Sequence, residues 1–553
     1  MNRILFAAIS AAFLVLPVSI RAAGASDYNI VWDSPSRDCH GSLPLGNGDI
    51  SVNAWVEPSG DLLFHIGKTD SWDDNARLLK VGKVRIKCDP PLVAEGGSFR
   101  QELDLASGMM NVVASNGQSV ARLSLWVDAN NPAIRVEIDA NRDMTATASF
   151  ELWRTNRFQL PSIECSDVLN GHPGRAPTIV EPDNVLQGIG ERVGWYHRNI
   201  KAVGPAEHAE VQGMTGYKRE DPILHRTFGA VITAGKRKGM MRPGDSSLRS
   251  GAGKSHSFDI HVLTVHPATP EAWMEEMNRM IEKTCSIPAD NRRTAHVAWW
   301  NAFWNRSWIR ATAGVQASAS KSVVPDNKHS ILIGKDQSGQ NKFRGEIRNA
   351  RIPDSLAGKF TLEAEVNPTA GESGRIFDKI TPGGADGFLI DTVPGNSLRV
   401  ICGSMQEVVK DALPAGKWAK IVATADAATG RWLVSVDGKN VIELTAADAT
   451  DDADYVSRMY ALQRWVTACA GRGRYPIKFN GSIFTVPHPG GPGDADYRRW
   501  GPGYWWQNTR LPYLSLCASG DFEMLEPMWR LYVDDFLSLN KYRTKHYFGF
   551  DDA

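Results

Sequence analysis

The chain has 553 residues, with 62 basic and 62 acidic side chains and a formal net charge of zero. That length predicts roughly three or four domains. No Lys/Arg-rich block stands out, so the charge balance points away from nucleic acid and anionic membrane as partners.

The first residues, MNRILFAAISAAFLVLPVSIRAAGASDYN, place Arg3 before the short apolar run Ile4 to Leu16, which Pro17 breaks. Ala23-Gly24-Ala25 fits a small-residue cleavage site. This is the pattern of a secretory signal peptide over residues 1–25, too short and wrongly flanked for a membrane span. The mature chain is expected to start near Ser26 and to be secreted or periplasmic. No later apolar run reaches spanning length.

Residues 26–267 read as β-rich. GDLLFHI, KVRIKC, GMMNVVA, VARLSLWVDA, AIRVEID, TATASFELW and SFDIHVLTV are short segments with partial alternation, separated by Gly, Asn, Asp and Pro. Many short strands with frequent turns predict a large sandwich. The pattern changes over 268–312, a helical linker. In TPEAWMEEMNRMIEK, Thr269 is the expected N-cap, Pro270 takes the first helical position, and acids fill the first turn. In DNRRTAHVAWWNAFWNRSWI, the rings Trp299, Trp300, Phe303 and Trp304 recur at helical spacing and predict a helix packed hard against the sandwich.

Residues 313–447 are β again. FTLEAEVNP, GRIFDKI, DGFLIDT, SLRVICG, KWAKIVATAD and RWLVSVDGKNVIEL have the combined length of one sandwich. In AADATDDADY, the acids Asp448, Asp451, Asp452 and Asp454 offer calcium ligands but match no EF-hand spacing, and the stretch reads first as a solvated linker. Helices return in 448–553. YVSRMYALQRWVTACAGRGRYP is expected to end at Gly471, with Pro476 beyond. DFEMLEPMWRLYVDDFLSLN is a second amphipathic pattern. Similar aromatic character on both sides makes the middle β domain an insertion between two helical parts of one unit.

Within the last region, RRWGPGYWWQNTRLPY gathers three tryptophans, two tyrosines, Gln507, Asn508 and Arg510. Flat rings cover the apolar faces of a sugar, and amide and guanidinium groups bond its hydroxyls. A Trp-rich packing seam is the competing reading. The seven cysteines are scattered, and none forms a C-x-x-C pair, so neither a disulfide framework nor a metal site is expected; one or two disulfides stay open. No H-E-x-x-H, Walker loop or GxGxxG at a strand–helix junction appears, which removes the common zinc-peptidase and nucleotide readings. No cofactor is implied.

VWDSPSRDCHGSLPLGNGDI resembles the opening of glycoside hydrolase family 95, the inverting α-fucosidase and α-galactosidase group, through Leu43-Pro44-Leu45-Gly46-Asn47-Gly48. LLFHIGKTDSWDDN stands where that family has its Asn-Glu…Trp turn, with Asp70 and Trp72 in corresponding places. HVAWWNAFWNRSWI resembles its linker helix, RGRYPIKFNGSIF its Arg-Pro…Pro-x-Asn segment, and the Trp-rich run its Asp-Tyr-x-x-Asn-x-Asn segment. The whole is similar to a secreted bacterial relative related to that family but outside its core. GRIFDK, GKW…IVATAD and RWLVSVDGK resemble a laminin-G-like, concanavalin-type jelly roll.

These resemblances imply a multidomain β plus α fold: an N-terminal β-supersandwich, a helical linker, an inserted concanavalin-like jelly roll, and an incomplete six-hairpin α/α toroid. Inverting hydrolysis needs two carboxyl groups spaced to admit a water, one as acid and one as base. The family's two water-holding asparagines fall at Gln507 and Thr509, with Asn508 between them, which departs from the family pattern. Lys478, Asn480, Trp505, Trp506, Gln507, Asn508 and Arg510 are candidates for a sugar-facing floor. Trp505 and Trp506 are adjacent, so one of them is expected to pack inward. His197, in WYHRN, is a candidate at a domain junction, with a satisfied structural histidine as the blander reading. No residue matches the family's acid or base. Asp70, Asp521 and Glu523 are the nearby acids; Asp521 reads more naturally as an N-cap with Glu523 in the first turn. About twelve helices of typical length do not fit after Tyr455, so a truncated toroid is expected. The function expected is a glycoside-hydrolase-like protein acting on or binding glycans, without hydrolysis by this chain. The alternative is a non-catalytic carbohydrate-binding protein using the jelly roll and sandwich.

Overall fold

The structure, a computed structural model, describes residues 24–93, 96–116, 119–160, 177–201, 203–235, 240–311, 327–356, 358–369, 372–384, 386–403, 405–426, 431–445, 452–488, 493–498, 501 and 503–551. The signal-peptide pattern, Asp448, Asp451 and Trp500 lie outside the described residues. The chain forms two compact units: Met1–Ile309 with Arg458–Ala553, and Arg310–Ser457.

The first unit is built around one long strand, Ala133–Glu151. Its first half pairs with Ser119–Val127 and Gly253–Val265. Its second half pairs with Leu78–Asp89 and Ser247–Arg249. A single strand therefore passes from one set of partners to another. On one side follow Met109–Asn116, Ser98–Asp104 and Ile30–Trp32, and on the other Thr227–Ala234 and Val193–Arg198; the second branch runs through Leu62–Trp72 and Ile50–Val56 to Leu43–Gly46. All these pairings are antiparallel. Inward residues such as Val52, Phe64, Val84, Leu125, Val136, Phe150, Trp195 and Ile260 share one apolar core. The alternation that marked the strands in sequence is the alternation between this core and the opposite face.

The helix Pro270–Cys285 starts as its capping residue requires, with Thr269 Oγ1 accepting from Ala272 N at 3.2 Å. Trp273, Met277 and Ile281 face inward. The helix Ala289–Arg306 buries Trp300, Phe303 and Trp304. Trp300 stacks on Trp465 with ring centroids 4.3 Å apart. Trp465 belongs to the helix Asp452–Ala470.

That helix also gives the opening motif a structural role. Trp465 Nε1 donates to Pro44 O at 2.9 Å, and Gly48 N donates to Cys469 O at 3.1 Å. Arg472 N returns a bond to Gly48 O at 2.8 Å. A carbonyl at the helix end that has no partner within the helix is thus satisfied from the far end of the chain. A side chain at Gly46 would strike Cys469 O, so only glycine allows this approach.

The expected amphipathic helix near residue 530 is not uniform. Glu526–Trp529 leads into a π-helical stretch, Arg530–Phe536, and then Leu537–Phe548. Met528 and Leu531 are buried, whereas Trp529, Val533 and Leu537 are exposed. Among the described residues no helix is long and apolar enough to cross a membrane. Cys39, Cys88, Cys469 and Cys517 are free thiols.

The second unit has two antiparallel five-stranded sheets. One orders Leu332–Ile333, Gly374–Lys379, Phe388–Val393, Ser397–Cys402 and Met405–Val409; the other orders Gly345–Arg351, Lys359–Pro368, Ala419–Asp426, Arg431–Val436 and Lys439–Thr445. Ile376, Phe388, Val400, Leu362, Ile421 and Trp432 form its own core.

Candidate functional site

The site is carried by the chain after Ala470, which is stitched to the strands of the first unit mainly through side-chain bonds to its backbone. Lys80 Nζ donates to Ile483 O at 2.5 Å, Ser51 Oγ to the same carbonyl at 3.0 Å, and Asn53 to Phe484 O at 3.3 Å. Asp496 is the second anchor. It accepts from Arg154 at 2.6 Å, Trp153 Nε1 at 2.6 Å and Lys80 N at 2.7 Å, all buried or half-buried. Arg498 donates to the carbonyls of Asn480 and Ser482 and holds that turn. Burial, reinforced by Arg498, pushes the Lys80 amine down to about 7.

Lys478 lies inside rather than on the surface. Its ammonium donates to Gly503 O and sits 5.2 Å from the centre of the Tyr504 ring. Tyr504 in turn lies 5.8 Å from Trp72, and Trp72 meets Tyr475 edge-on at 6.3 Å. Trp72 and Lys478, far apart in sequence, are therefore joined through Tyr504. Burial pushes the Tyr504 phenol well above its ordinary value. Asn480 serves the turn through its carbonyl to Arg498.

Trp505 and Trp506 are 53% and 54% exposed, so neither ring is core. The expectation that one of them packs inward fails because Trp505 stands outside the short helix Trp506–Thr509, at its N-cap. Trp506 touches Tyr532 edge-on at 5.4 Å. Gln507 and Asn508 are exposed, whereas Thr509 is fully buried, with its hydroxyl unpartnered. Successive helical positions point about 100° apart, so these three do not share a face. Arg510 caps locally, donating to Gln507 O at 2.7 Å.

Asn508 and Lys478 line one groove of about 900 Å³, with Phe479, Phe484, Val466 and Leu511 among its apolar walls. Gln463, Thr467 and Ser482 add polar groups. A mostly apolar concavity with a few placed polar atoms is the usual form of a small-molecule site. The residues lining it include no carboxylate.

The remaining candidates lie elsewhere. Asp70 is buried, paired with Lys68 at 2.8 Å, and lines a separate polar cavity. Burial would raise its carboxyl, but Lys68 and Arg226 outweigh burial and hold it below its usual range. His197 is 2% exposed, bonded to Asp183 at 3.0 Å and stacked on Phe228, which is the structural-histidine arrangement. Asp521 stands at an N-cap but makes no capping bond; it pairs with Arg464 and Arg306, each at 2.9 Å. Glu523 pairs with Arg306 at 3.2 Å. Tyr475, Tyr504 and Arg498, which organise the site, fall within the quoted motifs RGRYPIKFNGSIF and RRWGPGYWWQNTRLPY but have no individual role legible there, because a single aromatic or basic residue carries no spacing signal.

Over residues 31–309, half of its length, the chain matches the family model described as a domain of unknown function, DUF5703, and it belongs to that family. No curated protein matches. Among solved structures it is similar to a candidate kojibiose phosphorylase from the human microbiome, at 11% identity and a TM-score of 0.30, covering 51% of this chain and 39% of that one. A bacterial glucoamylase complexed with acarbose is similar at 7% identity and a TM-score of 0.23, covering 50% and 41%. A glycoside hydrolase family 81 protein from Clostridium thermocellum is similar at 8% identity and a TM-score of 0.17, covering 68% and 37%. The chain spans only about two fifths of the length of these structures. At these scores the likeness places no function on it.

Proposed function

We propose that this chain is a secreted glycan-binding protein of glycoside-hydrolase ancestry, with the Lys478–Asn508 groove and the adjacent Trp505 and Trp506 rings as its binding face. The observation that carries this reading is a groove of about 900 Å³ with amide, ammonium and hydroxyl groups set in apolar walls, whose lining residue Asn508 shares one short helical turn, N-cap included, with two tryptophans that are each more than half exposed. Rings of this kind cover the C–H faces of a sugar, and the polar groups bond its hydroxyls. Asn508 is the amide of this turn placed to reach such a ligand, and Arg510 braces the turn by donating to Gln507 O at 2.7 Å.

Binding rather than cleavage is the activity proposed for this chain. Inverting hydrolysis needs two carboxyl groups flanking the bond, and the groove-lining residues supply none. The supersandwich, linker, jelly-roll insertion and toroid reading of the layout belongs to the same proposal. It is supported by the sequence motifs and by the order of β-rich and helical regions.

Affinity electrophoresis against a panel of neutral and uronate-containing polysaccharides tests the proposal. At least one polymer should retard the protein, and the double variant Trp505→Ala/Trp506→Ala should lose most of that retardation with an unchanged unfolding midpoint. Equal retardation of both proteins would sink the site. Failure of every polymer to retard the wild-type chain would sink the function.

A further inference from the structure

We propose that the cavity between Asp70 and Asp535 is a second, independent site, which takes one neutral, hydroxyl-rich residue: a monosaccharide or polyol. The cavity measures about 410 Å³, and Asp70, Arg226, His266, Arg474, Tyr475 and Asp535 are among its lining. It shares no lining residue with the groove.

Charge excludes an ionic ligand. Asp70, Glu220 and Asp535 face Arg219, Arg226 and Arg474, three acids against three guanidinium groups. Most of these charges are already paired. Both oxygens of Asp535 accept from Arg474 Nη2 at 3.2 Å, and Arg219 stands 3.6 Å away. Lys68 neutralises the inner side of Asp70 and is shared with Asp49. An anion or a cation would meet repulsion as close as its attraction.

The hydrogen-bonding positions left over are of both senses. Arg474 Nη1 is a buried donor without a partner. His266 Nε2 is buried and unpartnered, and burial with Arg226 holds that imidazole below its usual pKa and so neutral. The Tyr475 hydroxyl accepts from Arg226 Nη2 at 3.2 Å and keeps its own hydrogen to give. Asp70 Oδ2 lies 3.9 Å from Arg226 Nη1, too far for a hydrogen bond, with Thr264 as the neighbouring hydroxyl. Buried polar atoms without partners are costly, and hydroxyl groups, each a donor and an acceptor, answer both kinds at once. Two lining residues are tied together across the cavity: Arg219 Nη1 donates to Asp535 O at 3.4 Å.

Saturation-transfer NMR on the full chain tests this, with glucose, galactose, fucose, myo-inositol, glucuronate and inorganic phosphate as probes at millimolar concentration. Transfer is expected to at least one neutral probe. It should weaken about tenfold in Tyr475→Phe and His266→Leu and persist in the Trp505→Ala/Trp506→Ala protein. The Tyr475→Phe variant removes a single oxygen and decides the matter if His266→Leu does not fold. No transfer to any neutral probe, or transfer that survives Tyr475→Phe, overturns the site. Stronger binding of glucuronate or phosphate, lost in the same variants, overturns its neutrality. Loss of polysaccharide retardation alone bears on the groove and leaves this cavity standing.

Discussion

The polar cavity at Asp70 and the groove at Lys478 sit on either side of one aromatic cluster, Tyr475, Trp72 and Tyr504, yet they are made of opposite materials. The cavity draws charges from several separate segments and cancels them against each other, so what it offers a ligand is the few bonds left unmade. The groove is formed by the helix Asp452–Ala470 and the chain that follows it, and it offers shape and ring surface. The lesson is that the groove is built from one continuous region of chain, whereas the residual hydrogen bonds of the cavity exist only where distant segments meet.

The groove takes five of its lining residues from the 478–484 stretch that the anchors of the 478–498 segment hold, and the cavity takes none, so the largest expected effect separates them. Asp496→Ala removes a buried partner of Arg154, Trp153 and Lys80 N and should cost about 3 kcal/mol in urea unfolding. Polysaccharide retardation by the groove should weaken while transfer to the cavity persists under native conditions; equal loss at both would show that the two sites are not independent.

A smaller effect is read from pH. Burial, reinforced by Arg498, pushes the Lys80 amine down to about 7 from its ordinary 10.5. Between those values the unfolded chain binds more protons, so stability should rise with pH across that window, with the full cost of the buried charge present below about 7. Lys80→Met should flatten this slope, as measured by unfolding midpoints from pH 6 to pH 10. An unchanged slope would assign the titration to another group.

The smallest effect sharpens the contrast on the groove side. The Thr509 hydroxyl is buried and unpartnered. Thr509→Val should therefore be neutral or stabilising by roughly 0.5 kcal/mol, and polysaccharide retardation should stay unchanged. A marked loss of retardation would mean that Thr509 contributes to the binding face.

Much of the architecture was legible in the chain itself. Alternating segments marked the strands, Thr269 and Pro270 marked a helix start, and the recurring rings of residues 299–304 marked a buried helical face. The chemical character of the 505–510 run was legible too. Its geometry was not: that Trp505 lies outside the helix, that Thr509 turns inward, and that Lys478 spends its charge on Gly503 O follow from packing against distant segments.

By itself the sequence determined where strands and helices form and which residue types are available for sugar chemistry, because periodicity and composition are local properties. The tertiary structure alone decided which tryptophans are core and which are surface. Trp300 is buried because Trp465 arrives from the other end of the chain to stack on it, while Trp505 remains exposed because little in the described fold covers its ring. It also decided the meaning of Gly46 and Gly48, whose lack of side chains matters only because the helix ending at Ala470 docks against them. Burial is a relation between residues distant in the chain, and a single residue's type does not encode its partner.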